Sequence, residues 1–273
     1  MSFYIIRGGY FGFEYTVKLL WILLALIVCI YDWKKNKRKD YFWVFLLGCF
    51  IYLGSEIGMY FSGARIISYA SIFGIDISSY VWLILPIQAF ADVPAIIVVS
   101  LFVGDRLMNK ESRKNGIILA AIFLFLKNVV ATIVLVALGY NYSNIPIGDP
   151  NIYQRREIFS LTTVISLSGM ILLTVIWFIL TDKEARKRAI FLFLMIVAFI
   201  AVWTLGEWLS GQRWIEFAVG ASYVKPNGIT EFGILAYDVV VEMGLFGTSF
   251  LALPYLFRLI KTKKEDKQLA EKS

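Results

Sequence analysis

The chain of 273 residues is 59% hydrophobic and 16% aromatic, with a mean hydropathy of +0.71 and a formal net charge of +7. This composition excludes an ordinary soluble domain of the same size. The absence of histidine excludes His-ligated zinc, His-ligated haem and a histidine general base, so any catalysis falls to carboxylates, Tyr, Lys or Arg.

The first residues lack a basic n-region, a short apolar core and a small-residue cleavage site, so the first apolar span is expected to act as its own signal. Seven apolar spans follow at about 16–32, 41–61, 81–104, 116–139, 159–181, 189–209 and 232–257. Each is long enough to cross roughly 30 Å of hydrocarbon at about 1.5 Å per residue. The expected fold is therefore all-α, a polytopic membrane protein with seven transmembrane helices. Cys29 and Cys49 fall inside the first two spans, where neither a structural disulfide nor a Cys-based metal site is expected.

Basic residues follow spans 1, 3, 5 and 7: Lys34, Lys35, Lys37, Arg38 and Lys39; then Arg106, Lys110, Arg113 and Lys114; then Lys183, Arg186, Lys187 and Arg188; and finally the tail from Lys261 to Lys272. All four segments lie on one side, which the positive-inside rule makes cytoplasmic. The expected location is the cell membrane, amino terminus outside and carboxyl terminus inside, and the positive charge reads as a topology signal and not as a nucleic-acid surface. The outer connections, 62–80, 140–158 and 210–231, are longer and hold Gly, Pro, Asn and aromatic residues, as an ordered lid or a packed loop does.

A repeat runs through the chain. Asp32 and Asp182 are 150 residues apart, Glu56 and Glu207 are 151 apart, and Asp92 and Glu242 are 150 apart. Spans 1–3 and 5–7 thus read as two copies of one three-helix unit running in the same direction, a 3+1+3 arrangement with a pseudo-twofold along the membrane normal. The expected division is 1–115 for the first repeat, 116–140 for a linking helix, 141–260 for the second repeat with its long outer loops, and 261–273 for a basic tail.

A bare carboxylate in hydrocarbon costs at least about 2.5 kcal/mol, so intramembrane acids must face an interior, a cavity or a partner. Asp238 and Glu242 lie four residues apart near the middle of the last span and share a helix face. Asp92 lies in mid-span 3, where Pro94 and Pro86 make the helix irregular. Asp92, Glu242, Asp238, Glu56 and Glu207 are the candidate catalytic residues. Lys127, central in span 4, is either a structural ion-pair partner or a desolvated base. Arg65 and Arg213 follow the two glutamates closely enough to pair with them or to hold an anionic head group, and with Lys127 they form the candidate substrate-binding set. Glu56 and Glu207 lie toward outer helix ends, where partial solvation is expected. Asp238 has Gln88 at the matching position of the first copy. The tryptophans are expected mostly at the membrane interfaces. Span 7 holds no lysine for a retinal-type linkage, and there is no nucleotide-binding glycine loop or aspartate-rich metal motif, so no cofactor and no metal are expected.

Two three-helix copies with intramembrane acids resemble the integral-membrane carotenoid-modifying enzymes, the two-repeat lycopene cyclases and the related carotenoid hydratases. Glu242 and Phe246 match part of a cyclase Pro-x-Glu-Glu-x-x-Phe motif, Pro86 keeps its proline in the first half, and Glu56, Gly63, Tyr69, Gly74 and Trp82 are similar to a hydratase pattern. The resemblance implies an intramembrane enzyme that protonates an alkene of an isoprenoid with a carboxylic acid, Asp92 and Glu242 as the acid–base pair and Glu56 and Glu207 facing the carbocation. A proton- or cation-coupled transporter and a non-catalytic subunit with membrane-complex partners compete with it. In each case the bilayer and a lipid or lipophilic molecule are the expected company.

Overall fold

The computed structural model describes residues 2–8, 14–125, 145–149, 152–220 and 222–260. Its order of elements recurs. Strand β1 (Phe3–Arg7) leads into helices α1 (Glu14–Asn36) and α2 (Asp40–Phe61), then strand β2 (Arg65–Ile67), a small hairpin of β3 (Ser71–Ile72) and β4 (Ile75–Asp76), and the long helix α3 (Val81–Met108). After α4 (Arg113–Phe125) the pattern returns: β5 (Gln154–Glu157), α5 (Leu161–Leu180), α6 (Lys183–Leu209), β6 (Arg213–Val219), β7 (Ser222–Val224) and the long helix α7 (Gly228–Leu256).

Six of these helices, α1, α2, α3, α5, α6 and α7, are long and apolar enough to cross a bilayer, and they mark a multi-pass membrane protein. Helix α4 is the described part of the expected fourth span, and the rest of that span lies outside the described residues. Burial sorts the six. The most apolar windows of α3 and α7 are 78% and 67% buried, against 22–39% for the other four, so α3 and α7 form the centre and the rest turn Leu and Ile outward. Glycine lets the central pair meet: a Cβ at Gly247 would lie 3.5 Å from Ile97 and 3.0 Å from Ile196. Val93, Leu101, Leu192 and Phe250 complete the core around this contact.

Local chemistry sets the helix ends. Ser160, Asp182 and Asn227 cap α5, α6 and α7 by accepting from the N–H three residues on. Helices α2 and α6 both stop at a serine followed by a glycine in the left-handed region, Gly63 with φ 76° and Gly211 with φ 75°, which turns the chain straight into a strand. Both central helices are interrupted by π-helical turns, Ala91–Ala95 in α3 and Asp238–Leu245 in α7. The first break contains Pro94, which removes a backbone donor.

The all-α expectation describes the bundle but not one of its ends. There β2, β5, β1, β6 and β7 form an antiparallel sheet in that order, across the ends of the helices. The strands are three to seven residues long, so their period of two is brief beside seven long apolar runs. At the opposite end Arg188 of α6 binds Asp105 of α3 through two nitrogens at 2.8 and 2.7 Å, Asp40 of α2 at 2.9 Å and Tyr255 of α7 at 3.2 Å. One side chain ties four helices together there. The cysteines are both buried thiols.

Candidate functional site

The sheet roofs a cavity between α2, α3, α5, α6 and α7, about 900 Å³ when the solvent open to it is included. Four of the sheet's five strands each send down one arginine: Arg7 from β1, Arg65 from β2, Arg156 from β5 and Arg213 from β6. Cross-strand register sets them in two opposed pairs, Arg65 facing Arg156 and Arg7 facing Arg213. From below, the two interrupted helices supply Asp92, Asp238 and Glu242. A π turn re-aims side chains that a regular helix would carry elsewhere, and both breaks fall at these acids.

The ionic partners are specific. Arg156 Nη2 donates to Asp238 Oδ1 at 2.9 Å and to Glu242 Oε2 at 2.6 Å. Arg213 donates to Asp238 Oδ2 at 3.1 Å and to the Thr204 hydroxyl at 2.8 Å. Asp92 takes Lys18 of α1 on one oxygen and the Gln88 amide on the other. The Gln88 carbonyl in turn accepts from Tyr15 and Tyr153. Of the three carboxylates on the cavity wall, Asp92 and Asp238 have both oxygens engaged. Glu242 Oε1 has no hydrogen-bond partner among the described residues. Burial and the neighbouring Arg7 hold the Arg213 guanidinium below its usual range. Burial acts the same way on Arg156, but Glu242 and Asp238 outweigh it and hold that guanidinium above its usual range.

Glu56 and Glu207 do not line the cavity. They stand behind the arginines, each with a carboxylate oxygen 2.8 Å from the Nε of Arg65 and Arg213 respectively. The partial solvation expected of them is corrected: Glu56 is 0% and Glu207 7% exposed, because the sheet covers the helix ends. The two helix ends, and the two arginines, are 148 residues apart, whereas the two glutamates are 151 apart, so Glu207 lies almost one turn nearer the end of its helix than Glu56 does. A glutamate one turn away still reaches its arginine.

Lys18 of α1 is the cation on Asp92 among the described residues; Lys127 lies outside them. Among the tryptophans, Trp177 and Trp214 are buried, and Trp203 stacks on Trp21 at 6.1 Å beside the cavity. Sequence reasoning also missed Arg7, Gln88 and Arg156 as site residues. Arg7 and Arg156 are 149 residues apart, nearly the spacing of Arg65 and Arg213, so a repeat search over basic residues would have found all four. In the hydratase-like pattern, Gly63 and Gly74 serve turns at positive φ and Trp82 is exposed, whereas Glu242 and Phe246 of the cyclase-like pattern both face the cavity.

Among the described residues no group of three or more Cys, Asp or Glu side chains is placed to hold a metal ion. Comparison with protein-family models, with curated proteins and with solved structures finds no match to this chain.

Proposed function

We propose that this chain is an intramembrane enzyme that performs acid–base chemistry on a lipophilic, isoprenoid-like substrate, with Glu242 as the group that moves the proton. The observation that carries the reading is the asymmetry of its carboxylate: on a side chain that lines the cavity, Oε2 is held by Arg156 at 2.6 Å, and Oε1 is buried with no hydrogen-bond partner among the described residues other than the adjoining Asp238 carboxyl. A general acid or base needs one oxygen fixed and one presented to the substrate. Asp238 bonds the same Arg156 nitrogen, and two carboxylates that meet at one point form an arrangement suited to sharing a proton. Tyr52, Trp203 and Phe246 offer π faces to a cationic intermediate, while Asp92, tied to Lys18, supplies fixed negative charge.

In this reading the chain crosses the bilayer seven times as two parallel repeats joined by the fourth span, with the basic loops cytoplasmic and the sheet outside. Two contacts support the pseudo-twofold: Ile6 and Arg155, 149 residues apart, are register partners in β1 and β5, and Ile97 approaches Gly247, 150 residues on. Residues that touch their own counterparts lie near the axis.

The test is the isoprenoid and carotenoid profile of cells expressing the wild type, Glu242→Gln and Asp92→Asn. A product that appears with the wild type, vanishes with Glu242→Gln and falls with Asp92→Asn is expected. Identical profiles with and without the protein would defeat the proposal.

A proton- or cation-coupled transporter is the second reading, favoured by the paired π-helical breaks in α3 and α7, since interrupted helices at mid-membrane are a mark of transporters. It requires the Arg188 tie at the far end to open. Proteoliposomes that carry no acid-driven flux for a broad panel of solutes would remove it.

A further inference from the structure

We infer that the substrate is a single-chain lipid with a phosphate-type oxyanion head, the head seated among the four strand arginines and the chain leading sideways past Trp203. This rests on the reading of the cavity as a substrate site and deepens it.

The head-group half follows from donors that the protein leaves unused. Arg7 lines the cavity opposite Arg213; Glu207, Asp92 and Asp238 hold its charge at longer range, and no hydrogen bond or salt bridge fixes its guanidinium to one described residue. Arg65 is 3% exposed, and its Nη1 has no hydrogen-bond partner among the described residues. Glu56 neutralises Arg65 through Nε and leaves that nitrogen for something else. Buried guanidinium N–H groups without acceptors are costly, and an oxyanion with several oxygens satisfies more than one at once. Arg7 and Arg213 also face each other as like charges, a repulsion that a shared anion relieves.

The chain half follows from what adjoins the arginines. Ile96, Ile200 and Trp203 are common to the arginine cavity and to a second pocket of about 340 Å³. The remaining wall of that pocket is Trp21, Val99, Phe123, Leu124 and Phe199, all apolar. A polar chamber and an apolar one that share a wall suit an amphiphile, with Trp203 at the junction, its indole N–H fixed on Glu207 and its ring stacked on Trp21.

The test uses the full chain purified in a neutral detergent, with farnesyl monophosphate, farnesol and inorganic phosphate as separate probes and thermal unfolding as the readout. Farnesyl monophosphate is expected to raise the unfolding temperature saturably, and the other two to leave it in place at equal concentration. Arg7→Gln is expected to weaken the effect about tenfold, as the loss of one charge-assisted contact does. Ile200→Trp, which fills the shared wall, is expected to weaken farnesyl monophosphate as well. Equal stabilisation by farnesol would make the site simply apolar, equal stabilisation by inorganic phosphate would make it a free-anion site, and an unchanged affinity in Arg7→Gln would remove the head-group contact; each overturns the inference. Glu242→Gln separates the two readings. If it abolishes the lipid product while farnesyl monophosphate fails to bind the wild type, only the head-group inference falls. If farnesyl monophosphate binds and Glu242→Gln leaves the lipid profile unchanged, only the acid–base reading falls.

Discussion

Arg156 reaches across 86 residues of sequence to place one guanidinium nitrogen 2.6 Å from Glu242 Oε2. The same nitrogen holds Asp238 at 2.9 Å, so a short strand orients both carboxylates of the last helix. Arg156→Gln leaves two buried acids without their common cation and is expected to cost roughly 3 kcal/mol of stability. Arg156→Lys restores the charge but not the geometry, and should recover stability while leaving product formation low. Thermal unfolding and the lipid profile, measured on the same two variants, check this.

Lys18 and Asp92 form a buried pair linking α1 to the break in α3. Lys18→Met strands Asp92 and is expected to destabilise by about 3 kcal/mol, whereas Lys18→Met with Asp92→Asn removes both charges and should recover most of that loss. A double-mutant cycle in detergent, read by unfolding temperature, measures the coupling. Strictly additive effects would show that the two side chains do not depend on each other.

Two helix glycines should respond oppositely to alanine. A Cβ at Gly244, inside the π turn of α7, would lie 2.8 Å from both Phe193 and Val197, so Gly244→Ala is expected to cost about 1–3 kcal/mol by overpacking. Gly54 lies on the exposed face of α2 with nothing within 4 Å of the same atom, and Gly54→Ala should stabilise by about 0.5–1 kcal/mol. Comparing the two unfolding temperatures tests both signs at once.

Arg188 closes the end of the bundle away from the sheet. Removing it leaves Asp105 and Asp40 with Arg38 as their remaining basic contact among the described residues, at 3.2 and 2.9 Å from a side chain that is 41% exposed. Arg188→Met is expected to lower stability by about 2–3 kcal/mol, toward the lower range for a broken buried pair because these acids keep some solvent. Hydrogen exchange should rise at the starts of α2 and α6 and stay unchanged in the sheet.

Tyr153 gives a pH signature. Burial first, then the neighbouring Tyr15 and Asp92, hold its phenol well above the usual tyrosine range. The fold therefore favours the neutral phenol: its contribution to stability is complete below the unfolded value of about 10 and is lost as pH rises above it. Phenolate absorbance during alkaline titration should show one tyrosine fewer titrating late in Tyr153→Phe than in the wild type.

The membrane class, the approximate bounds of the long apolar helices and the inward placing of Asp92, Asp238 and Glu242 are legible in the sequence, because apolar length and the cost of a charge in hydrocarbon are local properties. Irregularity in α3 was legible too, since Pro94 removes a donor wherever the helix lies. Its counterpart in α7 was not, because the π turn over Asp238–Leu245 contains no proline to announce it.

Only the tertiary structure decided which charges meet. Strands too short to be read against the helices carry Arg7 and Arg156 to the acids, and antiparallel register sets each arginine opposite one from the other half of the chain. Glu56 and Glu207 became supports behind the arginines because the sheet excludes water from helix ends that seemed open to it. Sequence thus determines which groups cannot face lipid, a property of each residue by itself. The partner each one finds is a property of chain crossings, which no single stretch contains.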